Sequence, residues 1–233
     1  QACMPDHVNA PVTFEALLRW HHPELGTIPP STLIPLAEEA GLMVDIGRWV
    51  LEQTCRQLQL WQAEQRGICR LSVNVSPQQL QQGDFEADLL CLLERYGLSA
   101  EQIRLEITES MLISDSCAHQ LHQLDRAGAQ LVVDDFGTGY SSLSYLQKFP
   151  VRLIKLDRSF VADVETSASS QSICQAVIGL AHNLGMEVVA EGVETAGQQQ
   201  MMEVMGCDKL QGNRFGAPMP ADQAAEWLRR YRQ

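Results

Sequence analysis

The sequence lacks any run approaching the roughly 18 uninterrupted apolar residues of a membrane span, and no basic-then-apolar leader opens it. It also lacks paired cysteine motifs. Its seven cysteines (Cys3, Cys55, Cys69, Cys91, Cys117, Cys174 and Cys207) are odd in number and never stand as Cys-x-x-Cys, which argues against a disulfide framework or a zinc ribbon. A reducing cytoplasm suits such a chain, with any membrane anchor expected in a part of the native protein beyond these residues. Basic residues are scarce: 17 Lys and Arg against 29 Asp and Glu give a net charge of −12. That balance argues against binding a DNA or RNA polymer, which needs a cationic surface that releases counterions. An anionic substrate would need local help, and a bound metal could reverse the sign at one site.

What is present is a substantial core. With 45% hydrophobic and 20% charged residues over 233 positions, the chain is globular, and its length suits one (β/α)₈ barrel of roughly 250 residues. No linker or low-complexity segment divides it, so residues 1–233 are expected to form a single α/β domain. Short β-branched runs near 12–19, 69–75, 102–107, 129–135, 151–156, 186–191 and 207–211 predict strands alternating with amphipathic helices. Phe85, Leu89, Leu92, Leu93 and Tyr96 mark one helix, with Asp84 as N-cap and Gly97 following it. Ile173, Val177, Leu180, Ala181 and Leu184 mark another, and Ile46, Trp49, Val50, Leu58 and Trp61 a third. Seven strands are visible where a closed barrel needs eight. Either one is irregular or the chain begins after it, and the polar opening at 1–9 looks like a truncated entrance.

The chemistry collects at strand ends. Asn74, Glu106, Asp134, Asp135, Lys155, Asp157, Glu191 and Gln211 all fall near the C-terminal ends of predicted strands, the rim where barrel active sites lie. One polar strand end is an ordinary cap or turn; a succession of them is a site. On the first predicted strand Glu15 and Arg19 share a face, so that Glu15 could bind metal and Arg19 grip phosphate, or the two could form an ion pair within the strand. Glu106 and Thr108 face one way and Glu109 the other. Glu106 is therefore the candidate ligand, while Glu109 either holds a neighbouring loop or serves as a helix N-terminal acid. Asp134 and Asp135 are adjacent and can reach one site only if the chain turns, which Gly137 and Gly139 permit. A bridging Asp134 would suit two cations about 3.5–4 Å apart; an Asx turn ending the strand is a common alternative, yet it does not explain an apolar strand delivering two acids. Lys155 could position or help deprotonate an attacking water with Asp157 orienting its ammonium, or the two could form a structural pair. Glu191 is a metal candidate and Glu194 a supporting acid, while Gln211 adds a neutral hydrogen-bonding group.

Five carboxylates gathered together (Glu15, Glu106, Asp134, Asp135, Glu191) would repel by about 4 kcal/mol per 4 Å pair at an effective dielectric of 20. Two divalent cations and Lys155 would offset them. An all-oxygen shell favours Mg²⁺ or Mn²⁺ over zinc, and His119 and His122, three apart on a predicted helix, read as a solvated face. Charge and spacing alone establish a barrel metallohydrolase acting on some phosphodiester.

The ordered set Glu15-Ala-Leu-Leu18-Arg19, Asn74 in Val-Asn-Val-Ser, Glu106-Ile-Thr-Glu109, Asp134-Asp135-Phe-Gly-Thr-Gly, Lys155-Leu-Asp157, Glu191-Gly-Val-Glu194 and Gln211-Gly resembles the bacterial EAL-domain cyclic di-GMP phosphodiesterases over nearly the whole chain. The resemblance implies a modified TIM (β/α)₈ barrel, mostly parallel with one antiparallel strand. It implies hydrolysis of cyclic di-GMP to linear pGpG by metal-activated water, with two Mg²⁺ or Mn²⁺ ions per site. The metal residues would be Glu15, Asn74, Glu106, Asp134, Asp135 and Glu191. Lys155, Glu106 and Glu191 would carry catalysis, and Arg19, Leu18, Gln211 and Asp157 would meet substrate. Glu109, as anchor of the loop after Asp135, and Glu194 would support. A homodimer through that loop is implied, as are sensory or GGDEF domains elsewhere in a longer protein, and a member that has lost hydrolysis would act as a cyclic di-GMP receptor. Three features depart from the pattern: the first strand would lie partly before Gln1, Ala2 stands where proline often follows the glutamine, and Asn213 and Arg214 stand where aromatic or aliphatic residues are usual.

Overall fold

The computed structural model describes residues 1–5, 12–64, 69–137 and 143–231. Ten strands are found among them: β1 (Ala2–Pro5), β2 (Val12–Ala16), β3 (Trp20–His22), β4 (Gly26–Ile28), β5 (Cys69–Asn74), β6 (Ile103–Thr108), β7 (Gln130–Phe136), β8 (Val151–Leu156), β9 (Glu187–Ala190) and β10 (Lys209–Gln211). Eight of them close a barrel in the order β1-β10-β9-β8-β7-β6-β5-β2, and β3 and β4 form a separate hairpin. β1 runs antiparallel to both of its neighbours, with Cys3 opposite Gln211 on one side and Thr13 on the other. The remaining barrel pairs are parallel.

The eighth strand of the barrel is therefore Ala2–Pro5, an irregular strand that the hydrophobic pattern did not reveal. Four residues with no β-branched side chain carry almost no strand signal of their own. Their pairing is imposed by two neighbours that would otherwise leave open edges. The first predicted strand also ends early. β2 stops at Ala16, so the alternation used to place Arg19 on the face of Glu15 does not reach it. Residues 6–9 of the polar opening lie outside the described residues.

The barrel is wrapped by helices whose buried stripes bring outward-facing strand residues into one core. Helix Phe85–Tyr96 follows the expected pattern: Phe85, Leu89, Leu92 and Leu93 are buried, the Asp84 carboxylate accepts the Ala87 N–H, and Gly97 takes a left-handed φ of 63°. The other two stripes follow the apolar spacing in part: Val177, Ala181 and Leu184 of one, and Leu58 and Trp61 of the other, are in or against the core. Helix Ala168–Asn183 buries Cys174, Ile178 and Ala181 while Ile173 faces outward. Helix Met43–Ala63 buries Met43, Gly47, Leu51, Thr54, Cys55, Leu58 and Trp61, leaving Trp49 exposed. Trp61 and Trp227 pack on Phe14 of β2 with ring centroids 5.4 and 5.7 Å away. The seven cysteines form no disulfide. His119 and His122 are exposed, and His122 stacks on Phe149. Among the described residues no helix is long and apolar enough to cross a membrane.

Inside the barrel a small separate cluster of Cys3, Val132, Leu153 and Val189 forms an apolar plug. Val132, Leu153 and Val189 each lie two residues before an ionisable residue, Asp134, Lys155 and Glu191, so the plug floors the cavity that those side chains line.

Candidate active site

The C-terminal mouth of the barrel holds a polar cavity of about 320 Å³ lined by Glu15, Asp134, Asp135, Lys155, Glu191 and Gln211, among others. Strand register sets the first level of the site. Asn74 pairs with Glu106 across β5 and β6, and Thr108 with Asp134 across β6 and β7.

At the centre stands Lys155. Its Nζ lies 2.7 Å from Glu191 Oε1, 2.9 Å from Glu106 Oε2, 3.0 Å from Asp134 Oδ1 and 3.3 Å from Glu15 Oε2. One ammonium thus faces four carboxylates from four strands or strand ends, nearly all out of water. Burial works against the charge of Lys155, yet Glu106, Glu15, Glu191 and Asp134 together hold it protonated well above its ordinary range. The acids divide. Burial, with Glu15 and Asp134 adding repulsion, pushes Glu106 up to about 8 in spite of Lys155. Glu191 is likewise pushed up to about 7 by burial against the pull of Lys155. Glu15 is held below its ordinary value although burial opposes this, because Lys155 and hydrogen bonds from Gln211 and Asn74 favour its anion. Those bonds run from Gln211 Nε2 to Glu15 Oε2 at 2.6 Å and from Asn74 Nδ2 to Glu15 Oε1 at 3.0 Å.

The donor set fits divalent cations. Glu15, Glu106 and Asp134 offer one group of carboxylate oxygens, and Asp134, Asp135 and Glu191 a second, the oxygens of each group lying within 4.8 Å of one another. Asp134 belongs to both groups. Its Oδ1 is buried and, although 3.0 Å from the ammonium, accepts no hydrogen bond, leaving lone-pair capacity directed at the site. A chain that concentrates acids in this way without enough cationic side chains has positions suited to a metal.

The turn that brings Asp135 beside Asp134 falls on Asp135 itself. With φ of 51° it is the one non-glycine residue at positive φ among those described. The β7–β8 register breaks between Val133 and Phe136 at the same place. Gly137 follows at φ 97°, while Gly139, also expected to permit the turn, lies outside the described residues. Such a backbone costs about 1–2 kcal/mol for a residue with a Cβ, and Asp is among the few that tolerate it. The Glu109 carboxylate accepts the Gly137 N–H at 3.3 Å, so this acid opens the helix Glu109–Ile113 and ties down the turn at once.

Several expected roles shift. Asp157 does not orient the Lys155 ammonium, which is taken by four other acids. Asp157 instead caps the helix Arg158–Ala162, accepting from Ser159 N at 2.9 Å and Ser159 Oγ at 2.5 Å. β8 has ended at Leu156, so the two-residue alternation from Lys155 no longer applies. Gln211 is buried, and its amide is engaged with Glu15. Arg19 and Leu18 lie outside the acidic cavity, in an adjoining cleft of about 290 Å³ that shares Gln1 and Glu15 with it. Arg19 is exposed and donates to the Leu18 carbonyl at 2.7 Å, so it makes no ion pair with Glu15. Glu194 accepts from Asn213 Nδ2 at 3.5 Å on the cavity wall, whereas Arg214 turns away to Gln199 Oε1 at 2.5 Å. Arg158 also lines the cavity, a residue the strand-end reading misses; a basic residue directly after a strand-end acid is the signal that could have found it. Gly212 lets β10 close over the site, since a Cβ there would stand 2.1 Å from the Val193 carbonyl oxygen.

Comparison with known proteins places this geometry. The sequence profile of the EAL domain matches residues 3–218. The chain is 41% identical over 218 residues, 92% of its length, to the bifunctional diguanylate cyclase/cyclic di-GMP phosphodiesterase MucR of Pseudomonas aeruginosa. It is 42% identical over 218 residues, 93% of its length, to the cyclic di-GMP phosphodiesterase PA2567 of the same organism. It covers 32% and 37% of those two proteins, so it spans about a third of the relatives it matches. A solved structure described as the PaMucR phosphodiesterase in complex with c-di-GMP superposes with a TM-score of 0.89 at 39% identity, covering 96% of this chain and 92% of that one. The chain belongs to the EAL domain family.

Proposed function

We propose that this domain hydrolyses cyclic di-GMP to linear pGpG with two divalent cations, Mg²⁺ or Mn²⁺, at the C-terminal mouth of the barrel. The observation that carries the reading is Asp134, shared by two groups of carboxylates around the buried Lys155 ammonium. Glu15, Glu106 and Asp134, with the side-chain oxygen of Asn74, would hold one ion, and Asp134, Asp135 and Glu191 the other. When bound, the ions supply Lewis-acid charge to the phosphoryl oxygens as the water attacks in line with the leaving oxygen.

The chain's own residues do the rest. Lys155 offers N–H donors that orient the attacking water, while Glu106 and Glu191 fix the ammonium at 2.9 and 2.7 Å. Gln211 and Asn74 hold Glu15 as an anion in one orientation. Arg19, in the adjoining cleft, is placed to meet a phosphate of a substrate that spans both cavities, with Leu18 beside it. Asp157, engaged as a helix cap, reaches substrate through the segment it positions. Glu109 and Glu194 keep the walls in place.

The same reading includes a homodimer through the loop after Asp135, whose residues 138–142 lie outside the described part, and sensory or GGDEF partners in a longer protein. The relative described as a bifunctional diguanylate cyclase/phosphodiesterase, three times the matched length, is consistent with such partners. A substrate panel tests the proposal: cyclic di-GMP, linear dinucleotides and cyclic mononucleotides are offered with Mg²⁺ or Mn²⁺ beside calorimetric binding. Preferred turnover of cyclic di-GMP supports it; binding without product would identify a receptor instead.

A further inference from the structure

The barrel interior is polarised along its axis. Above the plug of Cys3, Val132, Leu153 and Val189 lies the acidic site; below it, at the N-terminal mouth, lies a second cavity of about 260 Å³. Val132 and Leu153 of the plug line this lower cavity, together with Arg70, Arg104 and Arg152. Three of the chain's few basic side chains thus converge on one space in a protein of net charge −12. They come from three different strands, β5, β6 and β8.

Arg104 is the deepest of them, 5% exposed, and sits two residues before Glu106 on the same inward face of β6. Its Nε donates to Gln130 Oε1 at 3.1 Å and its Nη1 to Thr13 Oγ1 at 3.2 Å. Both partners are neutral, and no ion pair to Arg104 or Arg70 forms among the described residues. Arg70 donates through Nε to the Glu101 carbonyl at 3.1 Å. The acids nearby do not balance the three cations. Glu187 lines the cavity but is ion-paired to Lys209, and Asp125 stands 4.0 Å from an Arg152 that is 72% exposed.

We propose that the N-terminal mouth of the barrel is a binding site for a small phosphate-bearing anion, held by Arg70, Arg104 and Arg152 and separated by the apolar plug from the acidic site. The planar guanidinium fork suits a tetrahedral oxyanion, and a site with neutral first partners and unbalanced cations gains charge-assisted hydrogen bonds on binding. The anion is either free inorganic phosphate or the phosphate group of a small phosphomonoester.

The test uses the whole chain, stripped of metal with chelator so that phosphate cannot gather at the acidic mouth. Inorganic phosphate is titrated calorimetrically at constant ionic strength, and glycerol 3-phosphate forms a second arm. Saturable binding of one anion per chain is expected. The stronger arm names the source. Arg152→Ala and Arg70→Gln should each weaken binding about tenfold, the size of one lost charge-assisted hydrogen bond, and the double variant should abolish it. Arg229→Gln, on the last turn of the C-terminal helix, should change nothing. Arg152→Ala removes an exposed side chain and serves even if a change at a more buried arginine impairs folding. Heat that does not saturate, or binding equal in the double variant and the parent, would overturn the proposal. So would variants that lose thermal stability in chloride alone while keeping their phosphate affinity, since the arginines would then only brace the loops.

Discussion

Lys155 Nζ lies 2.9 Å from Glu106 Oε2, and both side chains are almost wholly removed from water, at 3% and 2% exposure. The pair is not a balanced ion pair, because three further carboxylates, Glu15, Asp134 and Glu191, bear on the same ammonium. The two partners are therefore expected to respond oppositely to neutralisation. Lys155→Met removes the ammonium that lies within 3.3 Å of four acids and should destabilise the metal-free protein by about 3–5 kcal/mol, the usual result of stranding buried charge. Glu106→Gln replaces an acid that burial pushes up to about 8 by its neutral counterpart and should leave the metal-free melting temperature equal or higher. Both should lower turnover at least about 100-fold. Chemical denaturation with chelator present, beside a turnover assay, checks the contrast; equal destabilisation by the two changes would refute the charge imbalance.

The raised acids set a pH dependence for the metal-free protein. Glu106, at about 8, and Glu191, at about 7, hold protons that the unfolded chain releases near 4.5. Between about pH 4.5 and 8 the folded state therefore binds more protons than the unfolded state, and stability falls as pH rises through that window. Cation binding must displace those protons, so metal affinity should rise with pH across 7 to 8. Melting curves from pH 5 to 8.5, with chelator and then with Mg²⁺, measure both effects. A metal-free melting temperature that climbs over this range would contradict the assignment.

Asp135 carries a backbone that few residues accept, at φ 51°. Asp135→Asn keeps a side chain that tolerates the left-handed region and should hold stability while weakening occupancy of the second cation position. Asp135→Ala should lose the same occupancy and also about 1 kcal/mol of stability. Metal titration and denaturation of the two variants separate ligand loss from backbone strain.

At Gly212, alanine would place a Cβ 2.1 Å from the Val193 carbonyl oxygen and 2.4 Å from its nitrogen. Backbone cannot yield there as a flexible side chain would, so Gly212→Ala should cost about 2 kcal/mol or more and displace the neighbouring Gln211 from Glu15. A thermal melt together with turnover checks this; an unchanged variant would mean that β10 adjusts freely.

Much of this site is legible in sequence because strand alternation is strict. Asp134, Lys155 and Glu191 each stand two residues after an interior apolar side chain, and that spacing alone gathers them. What the sequence does not carry is set by neighbours. Ala2–Pro5 becomes a strand because β2 and β10 supply partners on both sides. Asp157 turns away from Lys155 because a helix begins there and needs a cap. Arg19 escapes the strand rule because β2 ends three residues before it. The turn at Asp135 was required by the chemistry, yet it falls on the aspartate and not on a glycine, since register with β8 breaks at that residue.

The central claim is metal-dependent hydrolysis at the acidic mouth of the barrel. Its most direct test is the product formed from cyclic di-GMP, resolved by liquid chromatography and mass spectrometry, with Mg²⁺ or Mn²⁺ and then with excess chelator. The account predicts linear pGpG in the first case and unchanged substrate in the second. Equal product formation under chelation, or no product with either ion, would contradict it.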